Sequence, residues 1–119
     1  MPTPQDIAAD YLAVWNTPDD EERRRRLEQW TPDAEYRDPL MRGRGRDGIA
    51  AMIAGARAQF PGHEFRPRGT PDGHGAFARF SWTLAPTGGP AVAGGTDIVR
   101  LDGRGRIAEI VGFLDGGGT

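Results

Sequence analysis

Apolar residues recur every three or four positions near the start of the chain, where Ile7, Ala8, Tyr11, Leu12, Val14 and Trp15 form one stripe. That spacing predicts an amphipathic helix. Thr3, Pro4 and Asp6 supply a cap and a proline suited to its first turn. Thr17-Pro18-Asp19-Asp20 repeats the start signal, so a second helix is expected to run to about Trp30, before the break at Thr31-Pro32-Asp33. Residues 34–38 read as a short strand ending at Asp38-Pro39, because a residue before proline is pushed towards extended geometry. An arginine- and glycine-rich loop over 40–46 follows. Asp47 is then expected to cap a third helix in which Ile49, Met52, Ile53, Ala56 and Phe60 share a face, stopped by Pro61-Gly62.

Beyond residue 62 the period changes. Ala76, Ala78, Phe80, Trp82 and Leu84 alternate with other residues along a predicted strand over 74–85. Further strands are expected over 63–68, 91–102 and 106–114, with glycine-containing turns between the last three. The order is helix, helix, short strand, helix and a four-strand antiparallel meander. It predicts an α+β fold, a curved, mostly antiparallel sheet wrapped around N-terminal helices. One domain over 1–119 is expected, with 116–119 a flexible tail.

The 119 residues suffice for one compact domain, and 37% hydrophobic with 27% charged residues is ordinary globular composition. No apolar run approaches the roughly 20 residues of a membrane span, and no secretory leader is legible. The expectation is a cytoplasmic protein with no membrane partner. There are no cysteines, and all 15 basic residues are arginine. Disulfides, thiolate nucleophiles and lysine Schiff bases are thereby excluded. Two histidines, His63 and His74, are too few for a His-rich metal site and read as surface or strand-end residues, so no metal and no cofactor is expected. The formal charge of −2 argues against nucleic acid.

Two charged arrays need weighing. Asp19, Asp20, Glu21 and Glu22 each meet an arginine of the Arg23–Arg26 run four positions on, the favourable orientation for helix ion pairs worth about 0.2–0.5 kcal/mol each. A solvated helix face explains that run. Gly43 to Gly48 matches a dinucleotide-binding glycine pattern, but the strands that follow look antiparallel, so that reading is rejected. Arg42, Arg44 and Arg46 remain candidates for holding an anion, or form a solvated rim loop.

Several landmarks occur in order: Asp10 to Asn16, Tyr36-Arg37-Asp38-Pro39, the helix start at 45–53, Gly95-Thr96-Asp97 and Asp102 to Ile107. Together they resemble the SnoaL-like and ketosteroid isomerase branch of the nuclear transport factor 2-like superfamily, over about residues 7–115. The resemblance implies a cone-shaped α+β barrel that pairs as a homodimer through its outer sheet face. It also implies a small hydrophobic ligand and proton-transfer chemistry of an isomerase or polyketide cyclase. Tyr11, Asp38 and Asp97 fall where the ketosteroid isomerases carry a tyrosine, a base aspartate before a proline and a second aspartate.

Strand parity bears on the same residues. Asp97 shares its face with Ala93, Gly95, Val99 and Leu101, and an acid on an apolar face is the informative exception. Burial would favour its neutral form, able to donate a hydrogen bond beside Tyr11; the resemblance implies that these two donors face an enolate oxygen while Asp38 acts as base. Trp15, Tyr36, Met52, Phe60, Phe80, Trp82, Phe113 and Leu114 are the expected core and pocket lining. Tyr36 shares parity with Asp38 and is a possible partner or substitute for Tyr11. Other readings stay open: Asp38 as a turn former, Asp97 turned outward by a bulge at Gly94-Gly95, and a non-catalytic module binding a ligand or a protein. A further enzymatic reading, epoxide hydrolysis by an Asp/Arg/Asp set, needs an arginine between the acids, and Arg79 lies on the face opposite Trp82.

Overall fold

The computed structural model describes residues 2–118. Helix α1 spans Pro4–Asn16, opened by a capping box in which Thr3 and Asp6 each bond the other's backbone N–H. Helix α2 spans Asp20–Leu27 and α3 spans Gly45–Gln59. The strands are β1 (Glu35–Arg37), β2 (Arg42–Arg44), β3 (His63–His74), β4 (Phe77–Pro86), β5 (Ala93–Leu101) and β6 (Ile107–Leu114). They form one curved, unclosed sheet in the order β2-β1-β6-β5-β4-β3, in which β1 runs parallel to β6 and all other pairs are antiparallel. This is the α+β fold that the alternation of helical and strand periods predicts, with the cone shape that the resemblance implies.

The core lies between the concave sheet face and the helices. Ile7, Tyr11, Val14 and Trp15 of α1 and Ile49 and Ile53 of α3 meet Phe80, Trp82, Val99 and Ile110 of the sheet. Edge strand β3 bends at an irregularity between Arg68 and Asp72. Its exposed ladder is partly covered by Asn16, whose amide donates to Phe65 O and accepts from Phe65 N at 2.8 and 2.7 Å. That clamp fixes the end of α1 against the sheet. No helix among the described residues is long and apolar enough to cross a membrane.

Four local expectations are corrected. Helix α2 ends at Leu27, and a turn carries the chain on to Trp30. The arginine-rich stretch pairs as β2 with β1 in place of a loop, and α3 starts at Gly45 (φ 73°) without a side-chain cap from Asp47. Arg23 is not on a solvated face: it is 2% exposed, ion-paired to Asp20 and hydrogen-bonded to Thr17 O at 2.7 Å. With Leu27 four positions on, it fills the inward side of a helix otherwise short of apolar residues. A 3-10 turn spans Asp115–Gly118, and Thr119 lies outside the described residues.

Candidate active site

A cavity of about 150 Å³ opens between the sheet and the helices, lined mostly by apolar side chains. Its floor is buried, with Tyr11, Trp15, Tyr36, Trp82 and Asp97 each under 9% exposed. Its rim reaches solvent at Leu40 and Phe60, which are 73% and 41% exposed. Trp15 packs on Tyr36 and Phe65, and Phe65 on Trp82, with ring centroids 5.2–5.6 Å apart, so the walls hold one another in place.

Asp97 projects inward from β5. Cross-strand Phe80 and Gly112 share its face, so no bulge turns it outward. It is 2% exposed and accepts one hydrogen bond of modest length, from Trp82 Nε1 at 3.3 Å. Burial raises its pKa from 3.8 to about 6; the nearby Tyr11 hydroxyl and the Trp82 bond oppose the shift, and the charge of Asp38 adds to it. The Trp82 ring lies across Gly95, where a Cβ would sit 2.7 Å from the indole.

Asp38 follows β1 and is only partly buried. Its Oδ1 accepts from the backbone N–H of Leu40 and Met41 at 2.7 and 2.9 Å, forming a turn. Its Oδ2 accepts the Tyr36 hydroxyl at 2.6 Å. The turn-forming role and the cavity position are therefore both present. Tyr36 is held neutral by burial, the Asp97 charge and its bond to Asp38, all raising its pKa. Gly112 separates the two acids: a Cβ there would lie 2.9 Å from Asp97 Oδ1 and 3.1 Å from Asp38 Cβ. The absence of a side chain on β6 leaves the space in which the carboxylates converge.

The Tyr11 hydroxyl is buried and makes no hydrogen bond of good geometry, although the Asp97 carboxylate is near enough to affect it. Burial, followed by Asp97, pushes its pKa well above 10, so it remains a donor at any ordinary pH. Trp15 Nε1 is likewise buried without a partner. Unsatisfied donors in a cavity wall are poised for a ligand oxygen.

Of the expected lining residues, Trp15, Tyr36, Phe60, Trp82 and Leu114 line the cavity. Met52, Phe80 and Phe113 do not. Met52 packs against the core beside Gly43, and Phe80 is a 3%-exposed core ring behind Tyr11, 5.1 Å away. Phe113 pairs with Thr96, one position out of phase with Asp97, so it stands on the outer face at 54% exposure. Arg57, His63 and Phe65 line the cavity without having been singled out for it. Arg57 had a legible signal: it continues the four-residue spacing of buried Ile49 and Ile53.

No arginine pairs with Asp38 or Asp97 among the described residues, and Arg79 pairs with Asp72 on the outer face, so the epoxide-hydrolase arrangement is absent there. The anion site is also depleted. Arg46 donates to Trp30 O and Glu28 O, and Arg44 pairs with Glu35. No group of three or more His, Asp or Glu side chains gathers as a metal site among the described residues.

A curved sheet closed by helices around an acid-bearing apolar cavity defines the nuclear transport factor 2-like class. The SnoaL-like domain model matches residues 8–110, and the chain belongs to the SnoaL-like family. A SnoaL-like protein of Agrobacterium tumefaciens strain C58, provisionally described as an isomerase, is 56% identical over 92% of this chain and 94% of its own, with a TM-score of 0.89. Two more distant structures share the fold alone. One, from Sinorhizobium meliloti and provisionally described as a polyketide cyclase, is 21% identical over 94% of both chains, with a TM-score of 0.71. The other, from Catenulispora acidiphila, has a ketosteroid isomerase-like fold and was crystallised with trimethylamine; it is 15% identical over 94% of this chain and 86% of its own, at 0.74. Among curated proteins none matches the chain.

Proposed function

We propose that this protein is a cofactor-free proton-transfer enzyme, isomerase or cyclase, acting on a small hydrophobic carbonyl compound. The observation that carries this reading is the meeting of two carboxylates across Gly112 in an apolar cavity beside an unpartnered tyrosine hydroxyl. Asp38 removes a proton from the carbon next to the carbonyl and returns it to the product. Tyr11 and neutral Asp97 donate to the enolate oxygen that develops in between. Donors fixed in advance are typically worth about 2.7–4 kcal/mol each, since they need no reorganisation as charge moves. A cavity of about 150 Å³ suits a single ring or a short branched body, as an engineered apolar void of that size accommodates benzene.

Asp38→Asn tests the assignment. The expected outcome is a fall in turnover of about 10²–10⁴-fold with ligand affinity nearly intact. Undiminished turnover in that variant would sink the proposal. The three hydrogen bonds already received by Asp38 favour a second reading, a binding module without turnover, because they occupy lone pairs a base needs. That reading expects ligand binding and no proton exchange from bound carbonyl compounds into heavy water. Pairing through the outer sheet face belongs to the same proposal, supported by exposed Phe77, Ile98 and Phe113 on β4, β5 and β6. Sedimentation equilibrium distinguishes the homodimer from a monomer.

A further inference from the structure

Arg57 is the cationic member of the cavity wall, contributed by the last turn of α3. It makes one hydrogen bond, from Nη1 to Trp15 O at 2.9 Å, and no ion pair among the described residues. Of the other partly buried arginines, Arg37, Arg66 and Arg106 each pair with a carboxylate, and Arg46 has its guanidinium on the carbonyls of Glu28 and Trp30. Burial and the like charge of Arg23 are what act on Arg57, and both lower its pKa; neither Asp38 nor Asp97 figures among its neighbours in charge. The carbonyl at the end of α1 accounts for one of five guanidinium N–H donors. The rest of the fork has no anion on it.

His63 lines the same cavity. Its Nδ1 lies 3.0 Å from Pro61 O, an atom that can only accept, so Nδ1 carries a hydrogen and Nε2 is left free. Phe60 stands edge-on to the imidazole at 5.5 Å. The cavity is thus polar in two separate places: acids and a tyrosine from β1, β5 and α1, and an arginine with a histidine from α3 and the start of β3.

Resting on the reading that this cavity binds a ligand, we infer that the ligand is a carboxylate. Its apolar, single-ring-sized body fills the 150 Å³ space, and its carboxylate sits on the guanidinium of Arg57. Guanidinium and carboxylate match as planar forks, and a partly desolvated charge gains most from an opposite one. For turnover this makes the substrate a small apolar acid that also carries a carbonyl. Arg57 is then a specificity residue, apart from the proton-transfer pair.

Titrations of the intact protein with phenylacetate and with phenylacetamide, followed by tryptophan fluorescence, test this. The two probes have nearly the same shape and differ in charge. Wild type is expected to bind the acid about tenfold or more tightly than the amide, the range of one charge-assisted hydrogen bond. Arg57→Gln is expected to erase that preference while leaving amide affinity within about twofold, which also reports that the cavity is intact. Arg57→Met, which keeps the apolar stem packing, is expected to do the same if the glutamine variant folds poorly. Equal affinities in wild type, or a preference that survives both substitutions, overturns the carboxylate assignment and leaves the cavity reading standing. Binding of neither probe overturns both.

Discussion

At the floor of the cavity Asp97 is 2% exposed and receives one weak hydrogen bond; at the rim Asp38 is partly open to water and receives three. Both are aspartates, one cross-strand from Gly112 and the other beside it. The same carboxyl group is thus offered two solvation regimes a few ångströms apart. One regime strips water from the carboxyl group and raises its pKa; the other surrounds it with three fixed donors. Dividing acid and base roles between identical side chains requires only that kind of asymmetry.

The largest expected effect comes from making the floor neutral. Asp97→Asn should stabilise the protein by about 3 kcal/mol above pH 6, since the folded-state pKa of about 6 exceeds the ordinary 3.8. The sign follows from proton binding. Below about pH 4 folded and unfolded chains both hold the proton, so the gain vanishes; from 4 to 6 the wild-type fold weakens as pH rises. Denaturant midpoints of both proteins between pH 4 and 8 check this, and a gain independent of pH would mean that Asp97 is not the titrating group. Turnover that relies on neutral Asp97 should decline over the same rise through about pH 6, as a rate profile would record.

Next in size is Gly112→Ala. Its Cβ meets Asp97 Oδ1 and Asp38 Cβ inside van der Waals range, so a loss of about 1–3 kcal/mol is expected in thermal unfolding. Tyr36→Phe removes the bond that orients the rim acid and should cost about 1 kcal/mol. Asp38→Asn is the smallest in stability, under about 0.5 kcal/mol. The amide oxygen still accepts from Leu40 and Met41, and Tyr36 turns to accept from the amide nitrogen. If the rim substitution destabilised as much as the floor one changes stability, the contrast between the two acids would be lost.

The cone shape came from the family resemblance; the α+β order of elements was legible because helical stripes and alternating strands are local, repeated signals. Tyr11 to Trp15 and Ala78 to Leu84 carry them without ambiguity. Parity placed Asp97 on the inner face; Phe113 and Leu114 were both expected as lining, but neighbours on a strand face opposite ways, and the register of β6 with β5 turns Leu114 inward and Phe113 outward. Arg23 was read as solvent-facing because charge dominates any residue-by-residue reading, whereas α2 has little else to bury. Gly112 could not be singled out. Its significance comes from two side chains, on β5 and after β1, that only the assembled sheet brings to it.

Asp38 follows a strand of three residues, flanked on one side by another of three and on the other by the parallel run of β6. So small a patch opens at far less cost than the meander does. On warming, amide protons of residues 35–44 should exchange with solvent while those of β4 and β5 remain protected, and turnover should fade in that interval. The chemistry proposed for this cavity would then be limited by its shortest pairing, lost before the chain as a whole unfolds.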